Sequence, residues 1–168
     1  YLEPALFDSR VRGRINLTRA VSVSDFDKRQ AAEINQTTYT LEQDITSHLS
    51  VIWDAWSLAT VRDFYIDGNQ EISLLNIAST ALTLDLDYRD HPFNPTKGTL
   101  TRLDTEYGSP VLGSTDTIEY TRSQGAFSHY LTVLNKPQIV WANSFRVGYI
   151  KNLSSLSNGA VPYDKKGF

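Results

Sequence analysis

The sequence predicts an all-β chain, an antiparallel transmembrane β-barrel segment of about eight long meander strands. Three observations predict it. Apolar and polar residues alternate with period two through most of the 168 residues, as strands do when each face meets a different environment. The alternating runs are roughly twice the ~5–6 residues of a soluble-domain strand and reach the ~9–11 that a tilted strand needs to cross a bilayer. Compact turns alternate with longer polar connectors at successive strand ends, as on the two sides of an outer-membrane barrel.

Taken in order, Val11, Gly13, Ile15 and Leu17 are apolar or small and oppose Arg12, Arg14, Asn16 and Thr18. Ile34–Ile45 alternates less cleanly. From Leu49 the odd series Leu49, Val51, Trp53, Ala55, Ala59 and Val61 opposes Ser50, Asp54 and Thr60. Leu82, Leu84, Leu86 and Tyr88 oppose Thr83, Asp85, Asp87 and Arg89, and Thr101, Leu103, Thr105 and Tyr107 oppose Arg102, Asp104 and Glu106. In Asp116–Leu134 the alternation breaks, and Gly125 is the expected site of a face-switching bulge. Ile139, Trp141, Phe145, Val147 and Tyr149 oppose Ala142, Ser144, Arg146 and Gly148. The compact turns are Glu3–Arg10, Asp44–His48, Asp90–Gly98 and Asn135–Gln138. The longer connectors are Val21–Glu33, Tyr65–Glu71, Ser109–Thr115 and the tail from Asn152.

Alternation alone does not separate a barrel from a soluble β-sandwich with one wet face. Strand length, connector asymmetry and the aromatics near strand ends (Tyr65, Tyr88, Tyr107, Tyr149) favour the barrel. Aromatic residues make up 11% of the chain and Cys is absent, which excludes disulfide scaffolds and thiolate metal sites. The net charge of −3 argues against a nucleic-acid partner held by phosphate neutralisation. No apolar run approaches the ~18–20 residues of a transmembrane helix. The first residues, Tyr1-Leu2-Glu3-Pro4, show neither an initiator Met nor a signal peptide, so a piece of a longer chain is expected.

No catalytic site, cofactor or metal is expected. Asp85, Asp87 and Asp90 offer clustered oxygens, but Arg89 follows on the same face and a polar wall explains them better. Asp104 and Glu106 lie two apart on one strand and lack the opposed geometry of a glycosidase pair. His48, His91 and His129 are far apart in sequence, without zinc-ligand spacing. No Gly-x-Ser-x-Gly elbow presents a nucleophile. What recurs is a mixed-charge set on the polar face: Arg12, Arg14, Arg102 and Arg146 with Asp54, Asp85, Asp87, Asp104, Glu106 and Glu119. The candidate lumen network within it is Arg146, Arg102, Asp104 and Asp85. Either it fixes strand register and holds an inserted loop, or each member only keeps a wet lumen wet.

The segment Leu86-Asp87-Tyr88-Arg89-Asp90-His91-Pro92-Phe93-Asn94-Pro95-Thr96-Lys97-Gly98 resembles a strand–turn–strand of the bacterial outer-membrane protein insertases and their relatives, the BamA- and TamA-type surface-antigen barrels. Phe145-Arg146-Val147-Gly148-Tyr149 is similar to the strand before that family's long sixth external loop, and Val161–Phe168 to the start of the loop. Tyr1–Phe7 is similar to an earlier periplasmic turn. Arg10-Val11-Arg12-Gly13 looks like the family's Arg-Gly loop-tip motif, but it opens a strand and is read as coincidence.

The resemblance implies that residues 1–168 are part of a larger barrel of about sixteen strands, ending at the start of the sixth loop and carrying no periplasmic domain. It implies a wall in the bacterial outer membrane that inserts β-barrel proteins or translocates passenger proteins without catalysis. Its partners would be outer-membrane lipid, nascent outer-membrane or secreted proteins, and the remaining strands and periplasmic domains of the parent chain. A two-partner secretion pore or a patatin-fused barrel is the alternative within the fold, with a passive porin disfavoured. A soluble β-sandwich binding module is the alternative outside it.

Overall fold

The computed structural model describes residues 2–3, 10–23, 30–66, 70–136 and 138–154. Eight strands form one sheet in the order β1-β2-β3-β4-β5-β6-β7-β8, every neighbour antiparallel and consecutive in sequence. They are β1 (Leu2–Glu3), β2 (Val11–Val23), β3 (Gln30–Asp44), β4 (Leu49–Tyr65), β5 (Gln70–Asp87), β6 (Gly98–Gly108), β7 (Tyr120–Asn135) and β8 (Gln138–Asn152). β1 is a two-residue fragment; the other seven run from 11 residues in β6 to 18 in β5. Among the described residues there is no α-helix and no second sheet to cover either face, so this is a meander wall and not a sandwich.

Cross-strand register fixes the two faces. One row runs Leu49, Leu86, Thr101, Phe127, Phe145 and another Val51, Leu84, Leu103, Gly125, Val147. These are outward: Phe145, Leu103, Phe127 and Val147 are exposed despite their size, and on β2 Leu17 is 76% exposed. The adjacent row runs Ser50, Asp85, Arg102, Ala126, Arg146 and faces the other way. That face is the concave one. Two polar hollows open on it, and its side chains close over one another across several strands. Asp54 points inward too, accepting a 2.6 Å hydrogen bond from the Thr40 hydroxyl.

Register shifts correct two readings of the sequence. β4 carries a bulge between Asp54 and Ser57, seen against both β3 and β5. Beyond it the phase inverts, so Ala59 and Val61 do not join Trp53 on the outer face. They pack inward against Ile77, Ile118 and Tyr120, together with Leu75 and Ile150. The apolar odd series was real, but one extra residue in the ladder changes which side it faces. In β7 no bulge occurs at Gly125, which pairs in register with Leu103 and Val147. The irregularity lies instead between Thr132 and Leu134. Ile34–Gln43 pairs regularly with β2 within β3, and Ile45 lies just past the strand's end.

The connections fall on two ends: residues 45–48, 88–97 and 136–137 at one, and 24–29, 66–69 and 109–119 at the other. Connection 88–97 is longer than 66–69, so the expected length asymmetry is not uniform. Gly98 adopts φ 101°, and a Cβ there would collide with the Tyr88 carbonyl; only glycine closes this turn without strain. The proposed early turn at Tyr1–Phe7 (beyond Leu2–Glu3), the tail from 155 and Val161–Phe168 lie outside the described residues.

Candidate functional site: the charged concave face

The polar positions of β5, β6, β7 and β8 meet on the concave face because antiparallel register sets them side by side. In one row Asp85 and Arg102 form an ion pair through Arg102 Nε and a guanidinium nitrogen. Ala126 follows on β7 and Arg146 on β8. The two arginines stand two strand spacings apart, about 10 Å, over an alanine floor. They flank a hollow lined also by Leu100, Asp104, Gln124, Ser128 and Ser144. Arg146 has no ion-pair partner among the described residues.

A second, more buried set sits one turn of the ladder away. Glu106 is 3% exposed. It accepts a 2.7 Å hydrogen bond from the Tyr120 hydroxyl, and Arg122 Nε lies 3.4 Å from its other oxygen. Arg122 also reaches Asp104 at 3.5 Å, whose second oxygen accepts from the Thr83 hydroxyl at 2.9 Å. Tyr120 is fully buried and lies over Gly108, where a side chain would meet its ring. Toward β2, Arg12 is held at 2.9 Å by both Glu42 and Asp44.

The four residues singled out from the sequence therefore do not form one connected group. Asp85 pairs with Arg102, Asp104 belongs to the Arg122 set, and Arg146 stands apart across the hollow. Sequence reasoning missed Tyr120, Arg122 and the buried apolar cluster beside them. The signal was present in Leu75 and Ile77, which continue the inward odd series of Asp85, Thr83 and Ala81 as apolar residues. Glu119 is a correction: it accepts a 2.9 Å hydrogen bond from Tyr107, whose position opposite Thr80 puts it on the outer face with Leu82.

Reactive chemistry has little to build on here. His48 Nδ1 lies 2.9 Å from the Asp87 carbonyl and its ring stacks on Tyr88. His91 Nδ1 accepts from the Phe93 and Asn94 amides within a turn. His129 sits opposite Thr99 and Asn143, away from both. Among the described residues, no three His, Asp or Glu side chains are grouped to hold a metal ion. Asp87 is taken by Arg89 at 2.7 Å. What the concave face offers is a fixed pattern of charge beside water.

Comparison with known proteins decides the family. Residues 1–166 match the Omp85 superfamily domain. The chain belongs to the Omp85 superfamily. Among solved structures, the fold is similar to BamA from Haemophilus ducreyi, described in a form lacking POTRA domains 1–3. That similarity has a TM-score of 0.68 at 15% sequence identity, over 91% of this chain and 32% of that one. The chain thus spans about a third of that relative's length. A search of the curated proteins finds no significant match. The wall is that of an Omp85-family barrel, a family of outer-membrane protein insertases and transporters, and the element order is the one the resemblance implied.

Proposed function

We propose that this Omp85 segment is one wall of a bacterial outer-membrane barrel that inserts β-barrel proteins into the membrane or passes proteins across it. The observation that carries the reading is the family match over nearly the whole chain, joined to a wall that is apolar outside and charged inside. On this reading the exposed leucine and phenylalanine rows meet lipid, and the Asp85–Arg102–Arg146 row lines a wet lumen. Arg146, flanking the hollow without a partner of its own, is the position suited to hold an acidic group of an inserted loop. No step of bond making is assigned to any residue; the chain contributes shape, charge and a hydrophobic belt.

The sheet is open. β2 pairs on its outer edge only with Leu2–Glu3, and β8 has no described neighbour beyond β7. Unpaired backbone groups facing hydrocarbon cost several kcal/mol each, by about the amount of an unmade hydrogen bond in an apolar medium. Further strands of the same polypeptide are proposed to cover both edges, giving the larger barrel. Depleting the full polypeptide from its host tests the function. Accumulation of many unfolded β-barrel precursors in the periplasm supports insertion; retention of a single passenger, with barrels assembling normally, supports a secretion pore. Normal levels of both would overturn the proposal.

A further inference from the structure

One connector folds back onto the outer face of the wall instead of leaving it. After β6, Pro110–Leu112 forms a single 3-10 turn between Ser109 and Gly113. It lies across Ala78, whose place in the even series with Leu82 and Leu84 points it outward and which is nevertheless 0% exposed. Gly113, at φ 113°, provides the cover: a Cβ added there would stand 3.6 Å from the Ala78 methyl. The indole of Trp56, opposite the outward Tyr39, donates to the Leu112 carbonyl at 3.0 Å and ties the turn down.

Two features suit this turn to a contact with lipid. Ser109–Ser114 contains no charged residue, and Val111 projects from it 93% exposed. Every backbone N–H from Ser109 to Thr115 has a partner inside the protein: Ala78, Asn76, Pro110 and the Ser109 carbonyl and hydroxyl accept them. Such closure is a requirement for any segment in contact with lipid. The turn also sits beside an aromatic tier on the outer face. Tyr39, Trp56 and Tyr107 occupy one level and Trp53 and Tyr149 the next. Aromatic side chains of this kind mark the bilayer–water boundary in spanning barrels.

We propose that the Ser109–Ser114 turn is a lipid-interface anchor, with Val111 inserted at the boundary between headgroups and acyl chains. The partner is the lipid surface itself. The inference rests on the outer face being lipid-facing and adds a specific contact beyond the strands. The 88–97 connection differs in charge: its Phe93 is also exposed, but it carries Arg89, Asp90, His91 and Lys97, although most of its backbone N–H groups are bonded within the protein too.

The absence of cysteine in these 168 residues makes the test direct. An environment-sensitive fluorophore is attached at Val111→Cys, Leu84→Cys or Asp116→Cys in the full polypeptide, otherwise free of Cys and reconstituted in phosphatidylethanolamine–phosphatidylglycerol vesicles. Quenching by nitroxide lipids is compared with quenching by aqueous iodide. The expected result is that the Val111 label loses most of its emission to nitroxide near the headgroup and is several-fold less sensitive to iodide than the Asp116 label. The Leu84 label should respond to chain-centred nitroxide. A Val111 label as open to iodide as Asp116, beside a lipid-quenched Leu84, would overturn the anchor and leave the wall intact. A Leu84 label quenched by iodide would overturn both.

Discussion

Leu84 and Asp85 are consecutive residues in opposite solvents. Leu84 stands in the outward row between Val51 and Leu103, and Asp85 pairs with Arg102 on the concave face. Leu84→Arg should destabilise the lipid-inserted protein by about 2–4 kcal/mol if its level is the bilayer midplane. Asp85→Asn should cost far less, since the half-exposed Arg102 keeps an acceptor and an ion pair of this exposure is worth about 0–1 kcal/mol. Urea titration of the two variants in lipid vesicles checks this; equal losses would contradict the assigned faces. Gly108 makes a second case. Gly108→Ala drives a methyl into the ring of fully buried Tyr120, whose hydroxyl is pinned by Glu106, and should cost about 1–3 kcal/mol by overpacking. The same titration reads it. The first pair was legible in the sequence because alternation assigns faces without knowing which strands pair. The Tyr120–Gly108–Glu106 packing was not, because it depends on the register of β6 against β7.

At the scale of elements, the strands and their order were legible from period and turn chemistry, and their ladders were not. A bulge changes no residue type, so neither the shift at Asp54–Ser57 nor that at Thr132–Leu134 left a mark that alternation alone could expose; glycine at 125 drew attention to the wrong place. The 88–97 turn shows how local chemistry holds a connection. The Asp90 carboxylate accepts from the Thr96 hydroxyl and from the Thr96 and Lys97 amides. The Thr96 side chain foremost, then those amides, hold its pKa well below the ordinary 3.8. A depressed carboxylate contributes order that is whole above the ordinary value and is lost as pH falls through the lowered one. Amide exchange of Thr96 and Lys97 should therefore stay slow down to about pH 4 and accelerate only in stronger acid. Asp90→Ala should make it fast at every pH, and slow exchange in that variant would remove Asp90 from the account.

At the scale of the whole molecule, the edges of the sheet matter most. Seven long strands curl with the charged face inside, yet β2 and β8 do not meet. In the full polypeptide in lipid, the β8 amides that point away from β7 should exchange as slowly as those bonded to it. Fast exchange along that edge would mean the wall ends at β8 and would remove the need for more strands. The charge pattern was legible in kind, since arginines and carboxylates alternate with the apolar series. Its connectivity was not: Arg146 and Asp85 share one row but stand three strand spacings apart, with Arg102 and Ala126 between them, a distance only the register reveals.

The extra residue in β4 makes that strand a splice of two half-strands written in opposite phase. Its lower half shows lipid the odd positions, and its upper half shows lipid the even ones. Deleting Ala55 would remove the bulge and leave one unbroken alternation, with Trp53, Trp56 and Leu58 in step on the outer face. Ala59 and Val61 would still face Ile77 and Leu75, and Asp63 would still point inward. In the chain as it stands, the odd-numbered apolar residues from Leu49 to Val61 are therefore divided between the two faces of one strand.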